Sequence, residues 1–145
     1  MYKRILVPLE NTKTDAAILD HVVQLAKHDG ASLVLIHVAD GFAARNLKQL
    51  DLRESEEMQK DRAYLNETAA RLAAEGLRVE SVLATGDPTR EITEAADREH
   101  CDLIAMGTHG HRWVKDLLFG SVAEAVRHRT LVPVLMVRQQ PEGPA

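Results

Sequence analysis

Apolar residues in this chain fall into short continuous runs separated by longer stretches in which they recur every three or four positions. Four runs rich in Val, Ile and Leu stand out, Ile5 to Leu9, Ser32 to Val38, Leu103 to Met106 and Val134 to Val137. Continuous runs of this length between turn and cap residues predict strands buried on both faces. Arg78 to Ala84 mixes Val79 and Leu83 with Glu80 and Ser81, which predicts a fifth strand nearer a sheet edge.

The stretches between carry helical spacing. From Asp15 to Asp29, Ile18, Val22, Leu25 and Ala26 fall on one face, and Gly30 is placed to end the helix in a left-handed turn. A second helix is predicted over Ser55 to Glu75, with Met58, Leu65, Ala69 and Leu72 inward and the charged positions between them solvated. Pro88 suits the first turn of a third, through Ile92, Ala95 and Ala96. Ser121 is expected to cap a fourth, through Ala125 and Val126, ending before Pro133. The order β-α-β-α-β-α-β-α-β predicts an α/β fold, a doubly wound five-stranded parallel sheet with helices on both faces. Ligands of such sheets bind beyond the carboxyl ends of the strands, where the strand order reverses. Residues 1–138 are expected to form one domain, with a disordered tail over 139–145. Asp40 to Glu54 is long for a strand-to-helix loop and is expected to be a flap or an added helical turn.

Composition narrows the partners. With 45% apolar and 28% charged residues over 145 positions, the chain has the make-up of an ordinary soluble domain. No apolar run approaches the length of a bilayer span, and Ile5-Leu6-Val7-Pro8 is too short for a signal sequence, so a cytoplasmic protein is expected. The single cysteine, Cys101, agrees with a reducing compartment. A net charge of −4 and 3% aromatic residues argue against nucleic acid as a partner.

The candidate chemistry follows the fourth strand. Gly107-Thr108-His109-Gly110 is succeeded by nine residues and then Gly120-Ser121, a G-x2-G-x9-G-[ST] pattern. Glycines permit positive φ and close backbone approach to an anion, and successive N–H groups can point at phosphate oxygens. Gly120 and Ser121 are expected at a helix N-terminus, where free N–H groups and the helix dipole favour negative charge. The pattern is neither the Gly-Lys-[Ser/Thr] P-loop nor the G-x-G-x-x-G dinucleotide fingerprint. The alternative reading is that Gly107 and Gly110 only make a turn and Gly120-Ser121 only a cap.

Taken with Ile5-Leu6-Val7-Pro8, Gly86-Asp87-Pro88, Gly120-Ser121-Val122 and the closing Pro133-Val134-Leu135-Met136-Val137, the pattern resembles the universal stress proteins of the ATP-binding type over nearly the whole chain. The resemblance implies an adenine nucleotide alpha-hydrolase-like, Rossmann-like sheet that binds ATP, ADP or AMP, with Mg²⁺ as a possible companion. It places adenine near Pro8, Leu9 and Val38, and ribose and phosphates near Met106, Gly107, His109, Gly110, Gly120, Ser121 and Val122. It also implies a homodimer joined through the last strand, Pro133 to Val137. Where the family usually has Asp-Gly-Ser or Asp-Ser-Ser after the first strand, this chain has Glu10-Asn11-Thr12. Glu10 keeps the charge and adds a methylene, so any direct contact it makes to adenine, ribose or metal has to be rearranged.

Other residues are read more plainly. His37 is expected to be a hydrogen-bonded core residue, and Cys101 a small buried filler. His109 and His111 lack a Cys or carboxylate at metal-ligand spacing, so no metal site is assigned. Arg112 and Lys115 either neutralise triphosphate charge or solvate their loop, and Trp113 either packs on the domain or belongs to a partner surface. No nucleophile elbow or poised acid–base pair occurs, so no catalytic residue is assigned. The sequence supports a regulatory binding module. The alternatives are a slow Mg-dependent ATPase using Glu10 and a dimeric adaptor without nucleotide.

Overall fold

A computed structural model describes residues 1–40, 51–109 and 114–139 of the chain. Among the described residues, five strands alternate with four helices: β1 (Arg4–Pro8), α1 (Asp15–Asp29), β2 (Ser32–Asp40), α2 (Asp51–Ala74), β3 (Val79–Gly86), α3 (Pro88–Arg98), β4 (Leu103–His109), α4 (Val114–Arg129) and β5 (Val134–Gln139). The strands form one sheet in the order β3-β2-β1-β4-β5, and every neighbouring pair is parallel. Successive side chains of a strand leave opposite faces of the sheet, so continuous apolar runs supply two cores. Ile5, Val7, Leu33, Leu35, Leu103 and Ala105 face α1 and α2, where Ile18, Val22, Leu65 and Leu72 meet them. Leu6, Val34, Ile36, Ile104 and Met106 face α3 and α4, against Ile92, Ala95, Ala96, Ala123 and Val126. Strand β3, where polar residues break the apolar run, lies at one edge with none of its residues fully buried.

Local signals set most boundaries. Gly30 ends α1 at φ 70°, its N–H bonded to the Ala26 carbonyl. Asp87 caps α3 by accepting the Arg90 N–H at 3.0 Å, with Pro88 in the first turn. Cys101 is buried beneath α3 and α4, as a small filler should be. At the amino ends of the strands, the Asp102 carboxylate accepts the Lys3 and Arg4 N–H groups.

Three expectations need correction. Helix α4 begins at Val114, which makes Gly120 and Ser121 its seventh and eighth residues instead of its start. The physical reason is that Val114-Lys115-Asp116-Leu117-Leu118-Phe119 contains no helix breaker, and one glycine costs a helix only about 1 kcal/mol. Gln139, expected in the tail, is the last residue of β5 and pairs with His109. Gly107 carries no positive φ. It is a strand residue paired with Val137, and a Cβ there would stand 3.5 Å from Ile18, an ordinary contact. Most of the expected flap, and the tail from residue 140, lie outside the described residues.

Candidate functional site

The strand order reverses between β1 and β4, and the two part company there. Their ladder holds Ile5 with Leu103 and Leu6 with Ile104 and goes no further, whereas β1 stays paired with β2 to its last residue, Pro8 with Ile36. Backbone alternation explains the parting. The Leu9 N–H donates to the Ile36 carbonyl of β2 at 2.8 Å, so Leu6 and Pro8 turn their backbone groups toward β4. The next donor on that edge is therefore the nitrogen of Pro8, which bears no hydrogen.

The same alternation identifies what faces the opening. Ile104 donates to the Pro133 carbonyl of β5 at 3.0 Å, so Ala105 and Gly107 face the β1 side: the Ala105 N–H belongs to the last rung, and its carbonyl and the peptide groups of Gly107 lie beyond it. On β2, Ile36 faces β1, so Val38, two residues on, presents its N–H and carbonyl past the end of that strand. The carboxyl ends of β1, β2 and β4 thus surround a crevice edged with peptide donors and acceptors, which require polar partners.

The turn after β1 is held by a buried carboxylate. Asp15, 4% exposed at the first position of α1, accepts the Glu10 and Asn11 N–H groups at 2.9 Å each and the Tyr64 hydroxyl of α2 at 2.6 Å. Burial raises the Tyr64 phenol well above its ordinary value, and the hydrogen bond to Asp15 adds to the shift, so Tyr64 stays protonated and a donor. Asn11 takes a left-handed φ of 63°, and its side-chain amide donates to Asp61 of α2 at 2.9 Å. His37 completes the enclosure, with Nδ1 2.8 Å from the Leu9 carbonyl oxygen and Nε2 3.3 Å from Asp61 Oδ2. Glu10 Oε2 accepts the Thr14 hydroxyl at 2.9 Å.

Among the residues expected at a site, Pro8, Leu9, Glu10, Val38, Met106 and Gly107 gather at this end of the sheet. Met106 is fully buried on the α3–α4 face and shapes the floor rather than the opening. His109 ends β4, and its side chain lies outside the described residues together with Gly110, His111, Arg112 and Trp113. Gly120 and Ser121 sit inside α4, where their N–H groups belong to the helix ladder, so the helix-terminus argument for an anion does not apply to them in this conformation. Ser121 is exposed, and Val122 packs part-buried on the α3–α4 core. Among the described residues no group of three His, Cys, Asp or Glu side chains is placed to hold a metal. Burial pushes the Cys101 thiol up to about 11, so it remains an unreactive thiol. No described helix is long and apolar enough to cross a membrane.

Sequence reasoning did not find Asp15, Asp61 or Tyr64. A signal existed for Asp61: it falls three residues after Met58 and four before Leu65, a carboxylate on the apolar stripe of α2.

A family model described as the universal stress protein family matches residues 1–138. The chain is 30% identical to universal stress protein MJ0577 of Methanocaldococcus jannaschii, over 97% of each sequence. A solved structure of MJ0577 superposes with a TM-score of 0.81 at 28% identity, covering 98% of this chain and 99% of that one. A universal stress protein in complex with cAMP is similar at a TM-score of 0.70 and 24% identity, over 94% of this chain and 97% of its own. One from Archaeoglobus fulgidus in complex with dAMP gives 0.66 and 22%, over 94% and 98%. These last two likenesses are of fold.

Proposed function

The chain belongs to the universal stress protein family, and from that premise we propose that the crevice between β1 and β4 binds an adenine nucleotide, ATP foremost, in a cytoplasmic regulatory module. The observation that carries the reading is the end of the β1–β4 ladder at Leu6 and Ile104, beyond which Val38 and Gly107 turn peptide groups, and Ala105 its carbonyl, toward the opening. Peptide N–H and carbonyl groups match the alternating donors and acceptors of an adenine edge. Members of the same fold have been crystallised with cAMP and dAMP, which is the chemistry such a crevice suits.

The backbone of Leu9 has a smaller part than its place suggests. Its N–H is taken by Ile36 and one lone pair of its carbonyl by His37, which leaves the second lone pair for an adenine amino group. Val38 is therefore the principal backbone reader of the base. Glu10, tied to Thr14, shapes the turn beside the ribose. Gly107 lets the nucleotide lie against β4, and the phosphates extend over His109 and Gly110 toward Gly120, Ser121 and Val122. Because Gly120 and Ser121 lie within α4, their peptide groups reach phosphates only if the helix shortens from its N-terminal end. Two such modules join through β5, whose outer edge has no neighbour in the sheet.

Heating purified protein and assaying the supernatant for ATP, ADP and AMP tests the reading, with equilibrium binding of added nucleotide where the supernatant is empty. Stoichiometric release or saturable binding is the expected result. Protein that releases nothing and binds none of the three would overturn it.

A further inference from the structure

We propose that His37 is a proton-dependent positioning residue for the nucleotide crevice, an inference that rests on the reading above. The ring stands between two acceptors. Nδ1 faces the Leu9 carbonyl oxygen at 2.8 Å, and a carbonyl cannot donate, so Nδ1 carries a hydrogen. Nε2 faces the Asp61 carboxylate at 3.3 Å, and a carboxylate likewise only accepts. Both contacts are satisfied together only by the imidazolium. In the neutral ring with Nδ1–H retained, the Nε2 lone pair points at a carboxylate oxygen, and that contact becomes repulsive.

What His37 holds makes this consequential. Its Nδ1 contact fixes the carbonyl of Leu9, and its Nε2 contact fixes Asp61, which in turn holds the amide of Asn11 at φ 63°. Loss of the Nε2 proton leaves the Leu9 contact in place and loosens the Asn11 end of the Leu9–Asn11 turn that borders the crevice. Among the described residues, the other ionisable groups near the turn are engaged elsewhere or exposed. Glu10 is bonded to Thr14, and Asp15 accepts two N–H groups and the Tyr64 hydroxyl. The neighbouring charged residues of α2, Glu56, Glu57, Lys60 and Arg62, are exposed, and on β3 the residue paired with His37 is Leu83. Nucleotide affinity is therefore coupled to the His37 proton: tight when it is present, weaker once it is lost. By reciprocity, bound nucleotide retains the proton.

The test is the dissociation constant for ATP, measured calorimetrically between about pH 5.5 and 8.5 for the unsubstituted protein, His37→Gln and Asp61→Asn. ATP phosphates titrate in the same range, so the quantity read is the ratio of unsubstituted to variant constants at each pH. That ratio should rise at least about fivefold across the range, because a glutamine does not titrate and an asparagine can donate to a neutral Nε2. A second measurement needs no variant: following the His37 ring by NMR, its titration midpoint should move upward when ATP saturates the protein. A flat ratio with an unmoved midpoint would overturn the inference and leave nucleotide binding standing. Unsubstituted protein that binds no ATP at any pH would overturn both.

Discussion

At the residue scale, Asn11 resolves the departure of this chain from the usual Asp-Gly-Ser or Asp-Ser-Ser turn. A φ of 63° is what glycine supplies without penalty, and asparagine is among the few other residues that tolerate it. The hydrogen bond its side-chain amide donates to Asp61 then does what a glycine could not, tying the turn to α2. Asn11→Ala keeps neither property and is expected to cost about 1–2 kcal/mol in urea unfolding, whereas Asn11→Gly should lose only the hydrogen bond. Equal losses for the two would show that the left-handed backbone is not what asparagine serves. Far from the crevice, Asp29 offers a separate check on the electrostatics. Bonds from His28 and from the Tyr2 N–H lower its carboxyl from an ordinary 3.8 to about 2. A depressed carboxyl stabilises the fold above its unfolded value, so this contribution is present above about pH 4 and disappears as pH falls toward 2. Acid unfolding followed by circular dichroism should show Asp29→Asn less pH-sensitive than the unsubstituted protein across that window, and parallel curves would refute the assignment.

At the scale of elements, α1 and α4 show where sequence patterning succeeds and where it stops. The ends of α1, Asp15–Asp29, were readable because Gly30 is both the end of the apolar repeat and the only residue there suited to a left-handed cap. The start of α4 was not, because Gly120-Ser121 looks like a cap in isolation while the six residues before it are good enough helix formers to continue past a glycine. The candidate site divides in the same way. The runs Ile5 to Leu9 and Leu103 to Met106 located β1 and β4 in the sequence, although β4 runs on to His109, but the link from Asn11 to Asp61 spans fifty positions and is decided by how α2 packs. Gly120→Ala separates helix from ligand. It should stabilise α4 by about 0.5–1 kcal/mol, seen as a higher unfolding midpoint, and at the same time weaken ATP binding if the phosphates pass close to residue 120. A gain in both would remove Gly120 from the proposed site.

At the scale of the molecule, a sheet covered on both faces by helices has only its two outer strands, β3 and β5, left open, and they differ in character. Strand β3 mixes polar Glu80, Ser81 and Thr85 with its apolar residues, while β5 carries Val134, Leu135, Met136 and Val137 in succession. The proposed dimer follows from that asymmetry, and the backbone provides a way to test it without touching the core. Because Pro133 gives its carbonyl to Ile104, Leu135 and Val137 face β4, and the N–H groups of Met136 and Arg138 point away from the sheet. Arg138 is exposed, so Arg138→Pro deletes one outward donor per chain and spares the β4–β5 ladder and both cores. A two-fold interface loses that bond twice, or roughly 2 kcal/mol, which corresponds to more than about a tenfold rise in the dimer dissociation constant. Sedimentation equilibrium should register that rise with little change in the unfolding midpoint of the monomer. An unchanged association constant would move the contact off the β5 edge, since no interface built on its outward N–H groups can ignore their removal.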